Sequence, residues 1–229
     1  MQKIAIVTGG NRGIGFEICR QLARMGIKVI LTARDEGKGK DAVRKLQYEG
    51  LDVVFYSLDV TDEQSIKRLA GWVEQTFNRI DILINNAAIN IDEDCTALKA
   101  DINKIKETME TNVYGPLRLC QALVPIMRKN NFGRIVNVSS GAGALNEMTT
   151  GSPGYRISKT ALNVITKLLG NELVATNITV NSLCPGRIRT DMNPNGERSV
   201  EQGADTAIWL ADENLETGKF FRDRKEIPW

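Results

Sequence analysis

The stretch IAIVTGGNRGIGFEICRQLARMGIKVILTARD, residues 4–35, decides the fold. Ile4 to Val7 read as a short buried strand. A glycine-rich turn, Thr8 to Gly15, follows directly, and then apolar residues Ile18, Leu22 and Met25 recur at helical spacing. A second apolar run, residues 28–33, closes the unit. Strand, turn, helix and strand in this order make a βαβ unit, whose two strands lie parallel. The glycines let backbone N–H groups approach a pyrophosphate, and the positive end of the helix favours its charge. A glycine run alone fits any tight turn. Its place between the first strand and the first helix makes it a dinucleotide-binding turn.

Outward from this unit the pattern repeats. Apolar runs at 52–58, 82–85, 134–139 and 178–183 alternate with helical stretches such as the one carrying Ile66, Leu69 and Val73. Parallel strands need right-handed crossover connections, so the repeat predicts an α/β Rossmann fold: one doubly wound parallel sheet with helices on both faces. At 229 residues, with no linker or repeat inside, the chain is expected to form one domain, 1–229. Two irregular segments, 89–104 and 141–154, follow C-terminal strand ends, where ligands bind in such sheets.

Composition excludes several classes of function. Thirty basic residues against 28 acidic ones, with no one-sign block, leave no footprint for nucleic acid. The four cysteines lie far apart and the chain has no histidine, so no metal site and no histidine-based catalysis are expected. The first apolar run ends at glycine after four residues, too short for a membrane span or a signal peptide, which points to a cytoplasmic protein with no membrane partner.

The end of the second strand chooses the dinucleotide. Ala33 stands where NAD-binding folds usually place an acid on the ribose, and Arg34 follows. A guanidinium there can grip a 2'-phosphate, and Arg12 in the glycine turn can face the same group, so NADP(H) is favoured. The plainer alternative pairs Arg34 with Asp35 or Glu36 as a solvated charge. Further on, Tyr155 and Lys159 stand four apart at the start of a helical segment and share a face. An ammonium beside a phenol lowers its pKa and suits it to acid–base work. By itself the pair also fits a surface tyrosine resting on a lysine stem. Ser139 and Ser140 end the 134–139 run at the same sheet edge.

Taken together these motifs resemble the short-chain dehydrogenase/reductase family. The likeness spans nearly the whole chain through TGGNRGIG (8–15), LDV (58–60), NNAA (85–88), TN (111–112), VSS (138–140), YRISK (155–159) and PG (185–186). Within the family the chain is similar to the carbonyl reductases, most visibly in VILTARD (29–35) and LCPGRIRTDM (183–192). The resemblance implies a tetrad of Asn112, Ser140, Tyr155 and Lys159. In it serine polarises the carbonyl, tyrosine donates the proton, lysine holds the ribose and lowers the tyrosine pKa, and asparagine orders a relaying water. It also implies a cofactor shell. Gly9, Asn11, Arg12, Gly13, Ile14 and Gly15 would surround the phosphates, with Arg34 at the 2'-phosphate. Asp59 and Val60 would flank adenine, Asn86 the adjacent ribose, and Pro185, Gly186, Ile188 and Thr190 the nicotinamide, with Tyr155 and Lys159 completing it.

Three departures from the family stand out. Ala88 replaces the glycine usual after NNA. Only 14 residues separate Ser140 from Tyr155, where some carbonyl reductases carry a long helical insertion. The segment that usually covers the substrate is short, about 191–203, which suggests an open pocket. The expected activity is NADPH-dependent reduction of ketone or aldehyde carbonyls of small molecules, reversible as alcohol oxidation. The rival from another class is a non-catalytic sensor of NADP(H). Apolar residues in excess of one core stripe, in helices at 105–129 and 155–175, suggest a homo-dimer or tetramer.

Overall fold

The computed structural model describes residues 2–229. Its strands are β1 (Ile4–Thr8), β2 (Lys28–Ala33), β3 (Val53–Ser57), β4 (Ile82–Asn85), β5 (Gly133–Val138), β6 (Ile178–Leu183), β7 (Phe220–Arg222) and β8 (Lys225–Glu226). They form one sheet in the order β3-β2-β1-β4-β5-β6-β7-β8. All neighbours are parallel except the final pair. The chain crosses over between β1 and β4, so the strand order reverses there and a crevice opens at their C-terminal ends.

Helices α1 (Gly13–Arg24), α2 (Glu36–Tyr48), α3 (Glu63–Phe77), α4 (Ile102–Met109), α5 (Gly115–Lys129), α6 (Pro153–Leu173) and α7 (Val200–Asp212) connect the strands. Alternation along β1 shows how two layers of helix are held. Ala5 and Val7 join a core with Ile18 and Leu22 of α1, Leu46 of α2 and Leu210 of α7. Ile4 and Ile6 point the other way, into a core with Leu69 of α3, Leu123 of α5 and Leu173 of α6. The doubly wound fold predicted from the repeat is therefore present. Among the described residues, no helix is long and apolar enough to cross a membrane.

Three details differ from the pattern read in the sequence. The region expected as one helix at 105–129 is α4 and α5 joined by a π-helical turn, Glu110–Tyr114. Helix α6 starts at Pro153, two residues before Tyr155. The edge hairpin β7–β8 was not foreseen, because its strands hold three and two residues and show no periodicity. Its turn places Asp223 and Arg224 at φ 51° and 59°, a left-handed conformation that glycine or asparagine usually signals.

Helix caps divide into two sorts. Asp35, Asp62, Asp101 and Ser199 cap α2, α3, α4 and α7 with their own side chains, the last as a full capping box with Gln202. Arg12 and Ser152, at the starts of α1 and α6, give no such bond. Both of those helix starts lie at the sheet's C-terminal edge.

Candidate active site

A cavity of about 660 Å³ lies along that edge. One end is lined by Gly9, Asn11, Arg12, Gly13, Ile14 and Gly15 of the glycine turn. Arg34 closes it after β2, with Asp59, Val60 and Thr61 after β3 and Asn86 after β4. The other end is lined by Ser139, Tyr155, Lys159, Pro185, Thr190 and Met192, with Ile89 and Ile91 opposite.

The glycine turn is built to leave room. Gly9 and Gly13 have φ of 63° and 57°, which side chains rarely tolerate. A Cβ on Gly15 would fall 2.4 Å from Asn86 Nδ2 and 2.5 Å from the Gly9 carbonyl oxygen. Asn86 stitches the turn to β4: its Nδ2 donates to the carbonyls of Thr8 (2.9 Å) and Gly9 (3.2 Å). Thr8 Oγ1 accepts the N–H groups of Asn86 and Ala87 at 2.9 and 3.0 Å. With no side chain capping α1, its first N–H groups remain open to an anion in the cavity.

The two arginines differ. Arg34 is exposed and makes no ion pair among the described residues, because Asp35 caps α2 and pairs with Lys38 while Glu36 pairs with Lys40. The alternative in which Arg34 is a neutralised surface charge is thus not realised. Arg12 pairs with Asp191 at 2.7 Å, bridging the glycine turn to the short loop after β6. Asp59 is engaged locally, accepting from Thr61 N (2.9 Å) and Thr61 Oγ1 (2.7 Å).

At the other end, Lys159 is buried and its Nζ donates to the Val138 carbonyl at 2.7 Å, 5.5 Å from the centre of the Tyr155 ring. Burial holds its pKa down at about 8. Tyr155 is half-buried, and burial pushes the phenol up to about 12, while the Ser140 hydroxyl pulls the other way. The expected lowering of the tyrosine by the lysine is therefore absent here: the ammonium is directed at a carbonyl, and desolvation dominates. Ser140 Oγ also accepts from Ala142 N at 3.1 Å. Ser139 lines the cavity but its Oγ is spent on the Lys159 carbonyl at 3.3 Å, and Ser140 lies outside the lining.

Asn112 sits in the π-helical turn, a distortion common near functional sites. Its amide donates to the Ile89 carbonyl (2.9 Å) and Ser158 Oγ (3.0 Å) and accepts from Ile89 N (2.9 Å). Both amide protons are thus spent on protein, and Asn112 does not line the cavity. Gly186 and Ile188 also lie outside the lining. Gly186, at φ 85°, lets Arg198 pack close, and Ile188 is buried against Gly203. They shape the loop that presents Pro185 and Thr190. That loop is short yet ordered by its own backbone, with Arg189 N donating to Arg198 O at 2.9 Å and Thr190 N to Asn193 O at 3.2 Å.

Beneath α6 runs a row of buried polar groups that sequence reading did not single out. Asn85 Nδ2 donates to Asn137 Oδ1 (2.8 Å), Asn137 Nδ2 donates to Thr166 Oγ1 (2.8 Å), and Thr166 Oγ1 lies 2.7 Å from Ser182 Oγ. The signal was a polar residue near the end of each of three buried strands, ILIN, GRIVNV and ITVNSL. It could be recognised only once the strand order placed them side by side. Ile89, Ile91 and Met192 were missed as lining because loops carry no periodicity.

The chain is similar to known proteins along nearly its whole length. The chain is 37% identical to a (+)-neomenthol dehydrogenase of Arabidopsis thaliana, with 98% of this chain and 97% of that protein covered. It is 33% identical to carbonyl reductase (NADPH) 1 of Sus scrofa, covering 99% and 94%. These alignments run to 290 and 279 positions against 229 residues here, so both relatives carry segments with no counterpart in this chain. Among solved structures, an NADPH-bound carbonyl reductase from chicken fatty liver superposes with a TM-score of 0.89 at 27% identity, covering 100% of this chain and 99% of that one. Salutaridine reductase from Papaver somniferum gives 0.86 at 30% identity, covering 97% and 100%. With the family model for short chain dehydrogenases also matching residues 3–201, the chain belongs to that family.

Proposed function

We propose that this protein is an NADPH-dependent oxidoreductase that reduces ketone or aldehyde carbonyls of small molecules to alcohols, with Tyr155 as the proton donor. The carrying observation is that Tyr155 and Lys159 line the same cavity as an uncapped helix start, a glycine turn and an unpaired arginine. These residues fit NADP(H): the glycines supply space that a Cβ would fill, and Arg34 supplies a free guanidinium for a 2'-phosphate. NADPH, when bound, supplies the hydride. Gly9, Asn11, Gly13, Ile14 and Gly15 would hold its phosphates, Asp59, Val60 and Asn86 its adenosine half, and Pro185 and Thr190 the nicotinamide end.

The protein's part is to hold and protonate the carbonyl. A phenol raised to about 12 keeps its proton at neutral pH and gives it up only to a stronger base, such as the alkoxide that forms as the carbonyl is reduced. Ser140 orients the same oxygen. Lys159, its pKa lowered towards 8, is suited to hand protons on and to bind ribose hydroxyls. Asn112 contributes by anchoring Ile89 and Ser158 rather than by facing the substrate with its amide. Ile89, Ile91 and Met192 make that end of the cavity apolar and favour carbonyl compounds with hydrocarbon bodies. The relatives are themselves named as dehydrogenases and reductases, and nothing favours a purely sensing role.

Exposed apolar residues Ile157, Val164 and Leu168 on α6, with Tyr114 at the start of α5, support self-association as a dimer or tetramer. Four free thiols, three of them buried, support a reducing, cytoplasmic setting. NADPH oxidation followed with a panel of cyclic and aryl ketones and aldehydes tests the activity. Tyr155→Phe is expected to lower kcat by a factor of about 100 or more while NADPH still binds. Equal turnover by Tyr155→Phe and the parent would overturn the assignment.

A further inference from the structure

Helix α6 carries Tyr155 in its first turn, yet it begins without a cap of its own. Ser152 sits at φ 47° and makes no side-chain bond to the helix, and Pro153 has no N–H to offer. The first available N–H, that of Gly154, is taken by a residue 62 positions earlier in the chain. Asp92 Oδ2 accepts it at 2.6 Å. Asp92 is buried, and its second oxygen has no protein partner among the described residues. As a piece of scaffold this is a costly choice, because a buried carboxylate with one hydrogen bond and an idle oxygen is poorly compensated for desolvation.

The approach is close. A Cβ on Gly154 would lie 3.0 Å from Asp92 Oδ2 and 3.2 Å from Ile105 Cα, so glycine is what admits the loop. A second tie runs beside the first. Ile89, in the same loop, is bonded through its N–H and carbonyl to Asn112, which donates to Ser158 Oγ, and that hydroxyl donates to the Tyr155 carbonyl at 2.7 Å. The backbone of the tyrosine is thus bracketed, at Gly154 N on one side and at its own carbonyl on the other, by the loop whose Ile89 and Ile91 line the cavity.

We propose that Asp92 is a positioning residue for Tyr155: it caps α6 from the β4–α4 loop and so fixes the phenol against the substrate wall. The inference rests on Tyr155 being the proton donor. Asp92 does not line the cavity and is given no contact with substrate. Its side chain acts through one backbone N–H, so any residue that keeps an acceptor oxygen at that point should serve.

Steady-state carbonyl reduction by Asp92→Asn, Asp92→Ser and Asp92→Ala, beside the parent and Tyr155→Phe, tests this. Asp92→Asn retains an oxygen that accepts from Gly154 and is expected to keep kcat within about threefold of the parent, while Asp92→Ala loses roughly tenfold to a hundredfold, the range of a small misplacement of a catalytic group. Asp92→Ser, too short to reach, should follow alanine, and it stands in should the alanine variant fail to fold. The KM for NADPH should stay within about twofold in all, because the glycine turn and Arg34 belong to other elements. An asparagine variant as slow as alanine, a full set equal to the parent, or a KM for NADPH that rises in step with the loss of kcat would each overturn the proposal. If the parent is inactive, or Tyr155→Phe matches it, the assignment of Tyr155 fails instead.

Discussion

Replacing Arg34 by alanine is expected to weaken NADPH binding about tenfold while leaving NADH binding within about twofold. The magnitude follows from how the side chain is held. A hydrogen bond to a charged group contributes about 1.5–3 kcal/mol. Arg34 is exposed at the cavity rim, so solvent and salt screen it and the lower end of that range applies. About 1.4 kcal/mol is a factor of ten in Kd. Neighbouring acids do not alter the figure, because Asp35 and Glu36 already have lysine partners. Arg12 is poorly placed to compensate, since turning to a phosphate means leaving Asp191, 2.7 Å away. Fluorescence titration of the parent and Arg34→Ala with each nucleotide at low and moderate salt reads the effect directly. The parent should lose NADPH affinity with salt more steeply than the variant. Parallel weakening for NADPH and NADH, or no weakening at all, would refute the reasoning that this guanidinium reads the extra phosphate.

Thr166→Val keeps the shape of the side chain but leaves the Asn137 amide and the Ser182 hydroxyl short of a partner. Two unsatisfied buried groups predict a loss of about 2–5 kcal/mol in urea unfolding, and a loss below about 1 kcal/mol would mean that the row is not tightly bonded. Lys159 sets a pH signature. Its folded pKa of about 8 lies below the ordinary 10.5, so between these values the unfolded chain carries more protons and stability rises with pH, by up to about 1.4 kcal/mol per unit. Tyr155, raised to about 12, acts with the opposite sign above about pH 10, where the unfolded chain loses a proton that the folded one keeps. Unfolding of Lys159→Met between pH 7 and 10 should lack the rise seen in the parent, and identical profiles would contradict it.

How far the sequence could be read depended on whether the physics was local. The turn at Gly9 to Gly15 was legible because positive φ and close backbone approach demand glycine, and the strand and helix on either side were contiguous with it. Tyr155 and Lys159 were legible because four residues is one helical turn. The C-terminal hairpin was not, since Asp223 and Arg224 adopt a left-handed turn that their side chains do not advertise. Nor was Asp92, whose partner is 62 residues away and whose place in an acidic loop, IDED, looks like ordinary solvated charge. For Tyr155 and Lys159 the spacing could be read and the electrostatics could not: burial, invisible in a list of residues, pushes the phenol up and the ammonium down.

The row from Asn85 through Asn137 to Ser182 bears on a different question, how the chain knows where to stop sliding. The aliphatic side chains among the strands ILIN, GRIVNV and ITVNSL are nearly interchangeable as packing partners. In the native register Asn85 stands opposite Asn137, and Asn137 opposite Ser182. Shifting β4 by a single residue against β5 would send Asn85 to the other face of the sheet and oppose it with Val136 or Val138 instead. The polar row therefore serves as an index mark for the sheet, and because Thr166 of α6 bridges Asn137 and Ser182, the mark is complete only with the helix laid across the strands.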